Sequence, residues 1–229
     1  MKIVLVDKNI LPSQELAEKI IKAGGNAMAL QVDLSKPKDR GQIISRTIQR
    51  YGRIDYLINN AGYVYADKVE HLDLESAHDL FEVNFWAYLD MAQRVIPVMK
   101  EQKQGTIINI ASLSSFGVVR QNSIGIYSAS KYALLAIFAT MAIELKDCNI
   151  NLKIVCPSFM NTNLFKNAIG PEAETLQKHV ENLVFGFDSP DLIAQEIFDK
   201  IYQKDLIIWP GSATPPHSTQ PSTVSYNTH

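Results

Sequence analysis

Apolar and polar positions along this chain switch repeatedly between two rhythms. Short, mostly apolar runs, such as KIVLV at 2–6 and TIINI at 106–110, suit strands covered on both faces. The stretches between them repeat apolar residues every three or four positions, as helices do. KIVLV is therefore expected to be a fully buried strand. Pro12 and Ser13 open a helix with Leu16, Ala17, Ile20 and Ile21 on one face, stopped by Gly24 and Gly25. AMALQVD is a second strand, and Ser35 is the expected cap of a helix carrying Ile43, Ile44 and Ile48 on one side. YLINNAG is a third strand that runs into a tight turn. A long helical stretch follows from about Glu75 to Lys100, then the strand TIINIAS. From Tyr127 to Leu145 the chain is helical and apolar almost all round, so it needs cover on two sides. NLKIVCP and DLIIWPG are two further strands, separated by a loop region and a helix begun at Ser189-Pro190.

Strands alternating with helices at this spacing predict an α/β domain, a Rossmann-like, doubly wound parallel sheet with helices on both faces. The domain is expected to span 1–211. Residues 212–229, SATPPHSTQPSTVSYNTH, are rich in Ser, Thr and Pro and keep no apolar period, so a disordered tail is expected there.

Composition narrows the partners more than the fold. A net charge of −2 gives no reason to expect nucleic acid or an anionic membrane. Cys148 and Cys156 make no metal or disulfide framework, and the five histidines show no paired ligand spacing, so no metal site is expected. The apolar stretch YALLAIFATMAI at 132–143 is too short to cross a bilayer, and no signal-peptide pattern precedes it. The expected compartment is the cytoplasm.

YSASK places Tyr127 and Lys131 four apart at a helix start, on one face. A phenol titrates near 10, so acid/base work near neutrality requires lowering its pKa by about 3, roughly 4 kcal/mol. A neighbouring ammonium favours the phenolate. Alone, the pair reads first as a solvated helix face. Its setting changes that reading. Upstream, TIINIAS delivers a hydroxyl to the carboxyl end of a strand, where open α/β sheets collect ligands. NNAG follows another strand, Asn84 lies in FEVNFWA, and IVCPSFMNT ends a strand with Pro157 and a threonine five residues on.

In this ordered set the chain resembles the single-domain short-chain dehydrogenase/reductase family, from about Lys2 to Gly211. The resemblance implies an oxidoreductase moving hydride between a nicotinamide cofactor, NAD(P), and an alcohol or ketone. It implies Tyr127 as the acid/base, Lys131 as its activator and holder of the nicotinamide ribose, and Asn84 as support for a water relay. Asn60, Ala61 and Gly62 would line the cofactor and steady the central sheet; Asp33 would meet the adenine. Thr162 would hold the carboxamide and Pro157 would shape that turn. The catalytic serine is ambiguous: the strand start selects Ser112, whereas counting back from Tyr127 selects Ser114. A strand fixes position better than a loop, which favours Ser112. Substrate contacts are expected from Phe116, Val118 and Val119 and from Met160, Leu164 and Phe165, an apolar set. The family pairs subunits through helices corresponding to 75–100 and 127–145, so a homo-oligomer is expected.

One expected feature has no counterpart. The turn after KIVLVD contains no glycine, while the pattern strand–Asp–helix–AGG–VD matches the family's second strand–helix unit. The first unit, with its TGxxxGxG loop, is therefore expected to be absent, leaving two strand edges unpaired unless the sheet closes over the gap. Asp7 would then sit at the adenosine ribose and favour NAD over NADP. The competing expectation is a catalytically impaired or non-enzymatic interaction protein.

Overall fold

The computed structural model describes residues 1–116, 123–160, 162–182 and 187–213. The strands are β1 (Lys2–Asp7), β2 (Asn26–Gln31), β3 (Tyr56–Asn59), β4 (Gly105–Ile110), β5 (Ile150–Val155) and β6 (Ile207–Ile208). The helices are α1 (Ile10–Lys22), α2 (Pro37–Tyr51), α3 (Leu74–Phe81), α4 (Ala87–Gln102), α5 (Gly125–Glu144), α6 (Ala173–Glu181) and α7 (Pro190–Lys200). All strand pairings are parallel, and the architecture is the α/β, Rossmann-like one.

The sheet is in two pieces. Among the described residues β1 pairs only with β2, and the remaining strands form a separate sheet in the order β3-β4-β5-β6. Among the described residues no ladder joins β1 to β3, so the gap left beside β1 is not closed by re-pairing. The helix α2 spans it: Val4 and Val6 of β1 and Leu57 of β3 pack into one cluster with Ile43 and Ile44 of α2 and Met91 of α4. Arg40 of α2, almost fully buried, braces this layer by pairing with Glu82 and with Asp90, at 3.4 Å, and by donating to the Leu34 carbonyl at 2.8 Å.

The densest packing lies in the larger sheet. One face of β4 and β5, with Ile107, Leu152 and Ile154, is covered by Ala92, Val95 and Met99 of α4 and by Leu134 and Phe138 of α5. Ile108, Val155 and Ile208 point to the other face and meet Ile197 and Ile201 beside α7. Helices on both faces make this half doubly wound. The apolar α5 is covered by sheet on one side, but Tyr132 and Ile143 stay exposed. At 20 residues it is also, by length and composition alone, long enough to cross a membrane, longer than the apolar run within it suggests.

Several local expectations are corrected. β1 is half-buried rather than fully buried, because one of its edges has no neighbouring strand among the described residues. On α1 only Ala17 is buried, and Leu16 and Ile21 are exposed. Ser35 does not cap α2; its own N–H bonds to Asp33 Oδ1 at 2.9 Å, and the helix starts at Pro37 without a side-chain cap. α6 was not anticipated. The α3 start has a side-chain cap, Asp73 accepting from Ser76 N–H at 2.8 Å. The tail expected from residue 212 lies, from 214 onward, outside the described residues.

Candidate active site

The candidate residues reach one place by different routes. Ser112 follows β4 directly, at the carboxyl edge of the larger sheet. Tyr127 and Lys131 come from the first turns of α5 and are both buried. Asn84 is brought in by a π-helical turn, Glu82–Trp86, between α3 and α4; such bulges re-aim single side chains.

Lys131 is the centre of the constellation. Its Nζ donates to the Ile110 carbonyl at 2.9 Å and lies 5.9 Å from the centre of the Tyr127 ring and 5.1 Å from that of Tyr88. Gly62 closes the other side: a Cβ there would lie 3.0 Å from Asn84 Oδ1 and 3.8 Å from Lys131 Nζ. The lack of a side chain at 62 is what lets the turn approach both groups. Asn84 is fully buried and satisfied twice by Tyr63, accepting from its N–H at 3.1 Å and donating to its carbonyl at 2.9 Å.

Burial dominates the titration of these groups. It pushes the Tyr127 phenol up to about 12, with the nearby Ser112 hydroxyl opposing the rise by hydrogen bonding. Burial pulls the Lys131 ammonium down to about 7, against the opposing influence of Cys156. The expected lowering of the phenol by the ammonium is thus not realised in the protein alone. The physical reason is that Lys131 is itself desolvated and loses its proton well below the pH at which the phenol titrates.

Of the two candidate serines, Ser112 hydrogen-bonds the phenol. Ser112 Oγ accepts from Ser114 N–H at 3.2 Å, while Ser114 Oγ is buried and has no partner among the described residues. Asp7 ends β1, exposed, with Oδ1 accepting from Asn9 N–H at 2.8 Å. Asp33 follows β2, and the Ser35 N–H holds its carboxyl below the usual range. Buried Pro157 accepts from Leu113 N–H at 3.1 Å, joining the ends of β4 and β5. Thr162 lies beyond it, Oγ1 accepting from Leu164 N–H at 3.4 Å. Asn60 is exposed. The expectation that it steadies the sheet is corrected, since the preceding Asn59 carries those bonds, donating to Asn109 Oδ1 at 2.9 Å and to the Tyr88 carbonyl at 3.3 Å.

The expected substrate contacts divide. Leu164 and Phe165 pack in one cluster with Tyr127, Tyr65 and Phe159. Phe116 instead meets Trp209, ring centres 4.9 Å apart, in the core of the larger sheet. Val118 and Val119 lie outside the described residues. Sequence reasoning missed Tyr88 and Asn59; Asn59 lay within the NNAG motif and Tyr88 one position past FEVNFWA, and no periodicity separates them from their neighbours.

The chemistry of two of these side chains suits one end of a dinucleotide. Lys131 and Thr162 can donate to the nicotinamide riboside. The β1–α1 turn, DKNILP, offers no glycine cradle, and its Asn9 N–H is already held by Asp7. The pyrophosphate end therefore lacks the usual backbone donors in that turn.

A parallel α/β sheet with a serine, a buried phenol and a lysine at its carboxyl edge defines the class. The chain belongs to the short chain dehydrogenase family, whose model matches residues 1–172. It is 27% identical over 209 residues to the dehydrogenase/reductase SDR family member 7B of Mus musculus, covering 89% of this chain and 63% of that protein. Among solved structures, a short chain dehydrogenase/reductase from Burkholderia phymatum, in complex with NAD, superposes with a TM-score of 0.81 at 21% identity. That match covers 91% of this chain and 79% of the other. A short-chain dehydrogenase from Sphingobium yanoikuyae, in complex with NADPH, is 26% identical with a TM-score of 0.75, covering 90% and 76%.

Proposed function

We propose that this chain interconverts an alcohol and a ketone with a nicotinamide cofactor, NAD favoured by Asp7. The observation that carries the reading is half-buried Ser112 meeting buried Tyr127 and Lys131 at the carboxyl end of β4. In the reducing direction, the phenolic proton of Tyr127 goes to the carbonyl oxygen as hydride reaches the carbonyl carbon. Ser112 Oγ donates to the same oxygen, where charge develops. Lys131 in its protonated form favours the phenolate, the nicotinamide charge adding to this when bound, and Asn84 fixes the turn at Gly62 behind it. A bound nicotinamide supplies the hydride. The apolar side chains of Leu164 and Phe165 favour an apolar substrate. Exposed Trp86, Tyr132 and Ile143, at or near α4 and α5, support pairing of two copies through these helices.

A second reading is favoured by one specific feature: the glycine-free β1–α1 turn beside an unpaired strand suits a protein with weak cofactor binding that serves as an interaction partner. Titration with NADH, following nicotinamide fluorescence, separates the two. The enzyme reading expects saturable enhancement, retained in Tyr127→Phe, whereas alcohol or ketone turnover is lost in that variant. No fluorescence change at millimolar NADH supports the interaction protein.

A further inference from the structure

One buried aromatic ring beside the lysine has no part in the proton transfer. Tyr88, in the first turn of α4, follows Asn84 by four residues and is 1% exposed. Asn59 Nδ2 donates to its backbone carbonyl at 3.3 Å, and its side chain shares a core cluster with Leu134 and Phe138 of α5. The residue is thus held from β3 and from α5 at once. Lys131 Nζ lies over its ring, 5.1 Å from the centre.

The surroundings of the ammonium show what that ring can do. A lysine has three N–H donors, and the Ile110 carbonyl takes one of them at 2.9 Å. No salt bridge reaches Lys131 among the described residues. Asn84 Oδ1, on the Gly62 side, already accepts from Tyr63 N–H at 3.1 Å. The other titratable groups facing the cation are Tyr127 on its own helix, ring centre 5.9 Å away, and Cys156 just past β5. Burial pushes the Cys156 thiol up to about 12 and raises the Tyr88 phenol too, so both stay neutral near pH 7. A desolvated cation with one strong acceptor is costly, and the electron-rich face of an aromatic ring is the compensation at hand. The hydroxyl is not the compensating atom. Tyr88 Oη is buried with no hydrogen-bond partner among the described residues.

We propose that Tyr88 is a positioning residue acting through Lys131: the face of its ring stabilises the ammonium, and with it the charge that favours the Tyr127 phenolate. The role rests on the oxidoreductase reading, because a proton-transferring Tyr127 is what gives the cation its task. The contact itself needs no cofactor, and neither does its test.

Lysine carrying ¹³C at Cε reports side-chain protonation by NMR, and the signal lost in Lys131→Met is that of Lys131. It should titrate near 7, far below an ordinary lysine. Position 88 is then made Phe, and next a phenylalanine bearing two or three ring fluorines, which drain the π face while barely changing the ring's size. Tyr88→Phe should leave the Lys131 titration in place. The fluorinated rings should lower it stepwise, by about one pH unit with three fluorines, a tenfold weaker hold on the proton. A ring that only fills space would give the same titration in every variant, and that result overturns the proposal. So does a full fall in Tyr88→Phe, which would assign the effect to the hydroxyl. NADH titration of the same proteins keeps the two readings apart. Fluorine-dependent titration without nicotinamide binding would sink the oxidoreductase reading and keep the contact; saturable NADH binding with fluorine-independent titration would do the reverse.

Discussion

β1 and β4 are both six-residue apolar strands in parallel ladders, yet their fates differ. β4 is buried along nearly its whole length, and β1 is nowhere fully buried. The composition of the two strands does not explain this. β4 has a strand on each side and helices over both faces, whereas β1 has β2 on one side and an open edge on the other. Burial in a parallel sheet thus belongs to a strand's position in the order. The chemistry follows the same division: Ser112, Tyr127, Lys131 and Asn84 gather around the end of the well-covered strand, while Asp7 and Asp33 sit at the ends of the loosely covered pair.

The sharpest way to test that contrast is to make equivalent cavities on both sides. Ile107→Ala, at a fully buried position of β4, should cost about 2–5 kcal/mol in urea unfolding, and Leu5→Ala in β1 about 1 kcal/mol. Equal losses would mean that β1 is as well packed as β4.

A second test concerns the buried cation. Between about 7, the value of Lys131 in the folded protein, and its ordinary 10.5, the unfolded chain carries a proton that the folded chain lacks. Stability should therefore rise with pH across that window, by at most about 1.4 kcal/mol per pH unit for one proton. Tyr127 acts oppositely at higher pH. The folded phenol keeps its proton until about 12, so stability should fall between about 10 and 12. In Lys131→Met the rise from pH 7 should flatten; an unchanged slope would mean that Lys131 is solvated.

A smaller effect is expected where β3 is tied to its neighbours. Asn59→Leu removes the bonds to Asn109 and to the Tyr88 carbonyl. It should cost about 1–3 kcal/mol, since buried groups are left without partners. Asn60→Leu, at the exposed position alongside, should change stability little in the same unfolding assay.

What could be read from the sequence follows the same physical line. Strand positions were legible because continuous apolar runs are rare outside buried strands, and the YSASK spacing alone put Tyr127 and Lys131 on one helix face. The burial of β1 was not legible, because periodicity reports what a strand could bury and not whether a neighbour is present. The choice of Ser112 followed from its fixed distance along β4. The direction of the Tyr127 shift was misread: proximity to a cation suggested lowering, but burial weakens the cation as well as the phenolate. Asn59 was hidden beside Asn60, since two adjacent asparagines at a strand end differ only in the side each faces.

The most direct measurement follows the Tyr127 phenol itself, by NMR of tyrosine carrying ¹³C at the ring carbon that bears oxygen, with Tyr127→Phe to assign the signal. The phenol should titrate near 12 in the protein alone and at clearly lower pH once NAD⁺ is added, because the nicotinamide brings a positive charge that does not titrate. A signal that titrates identically with and without NAD⁺ would contradict the assignment of this cluster to nicotinamide-dependent proton transfer.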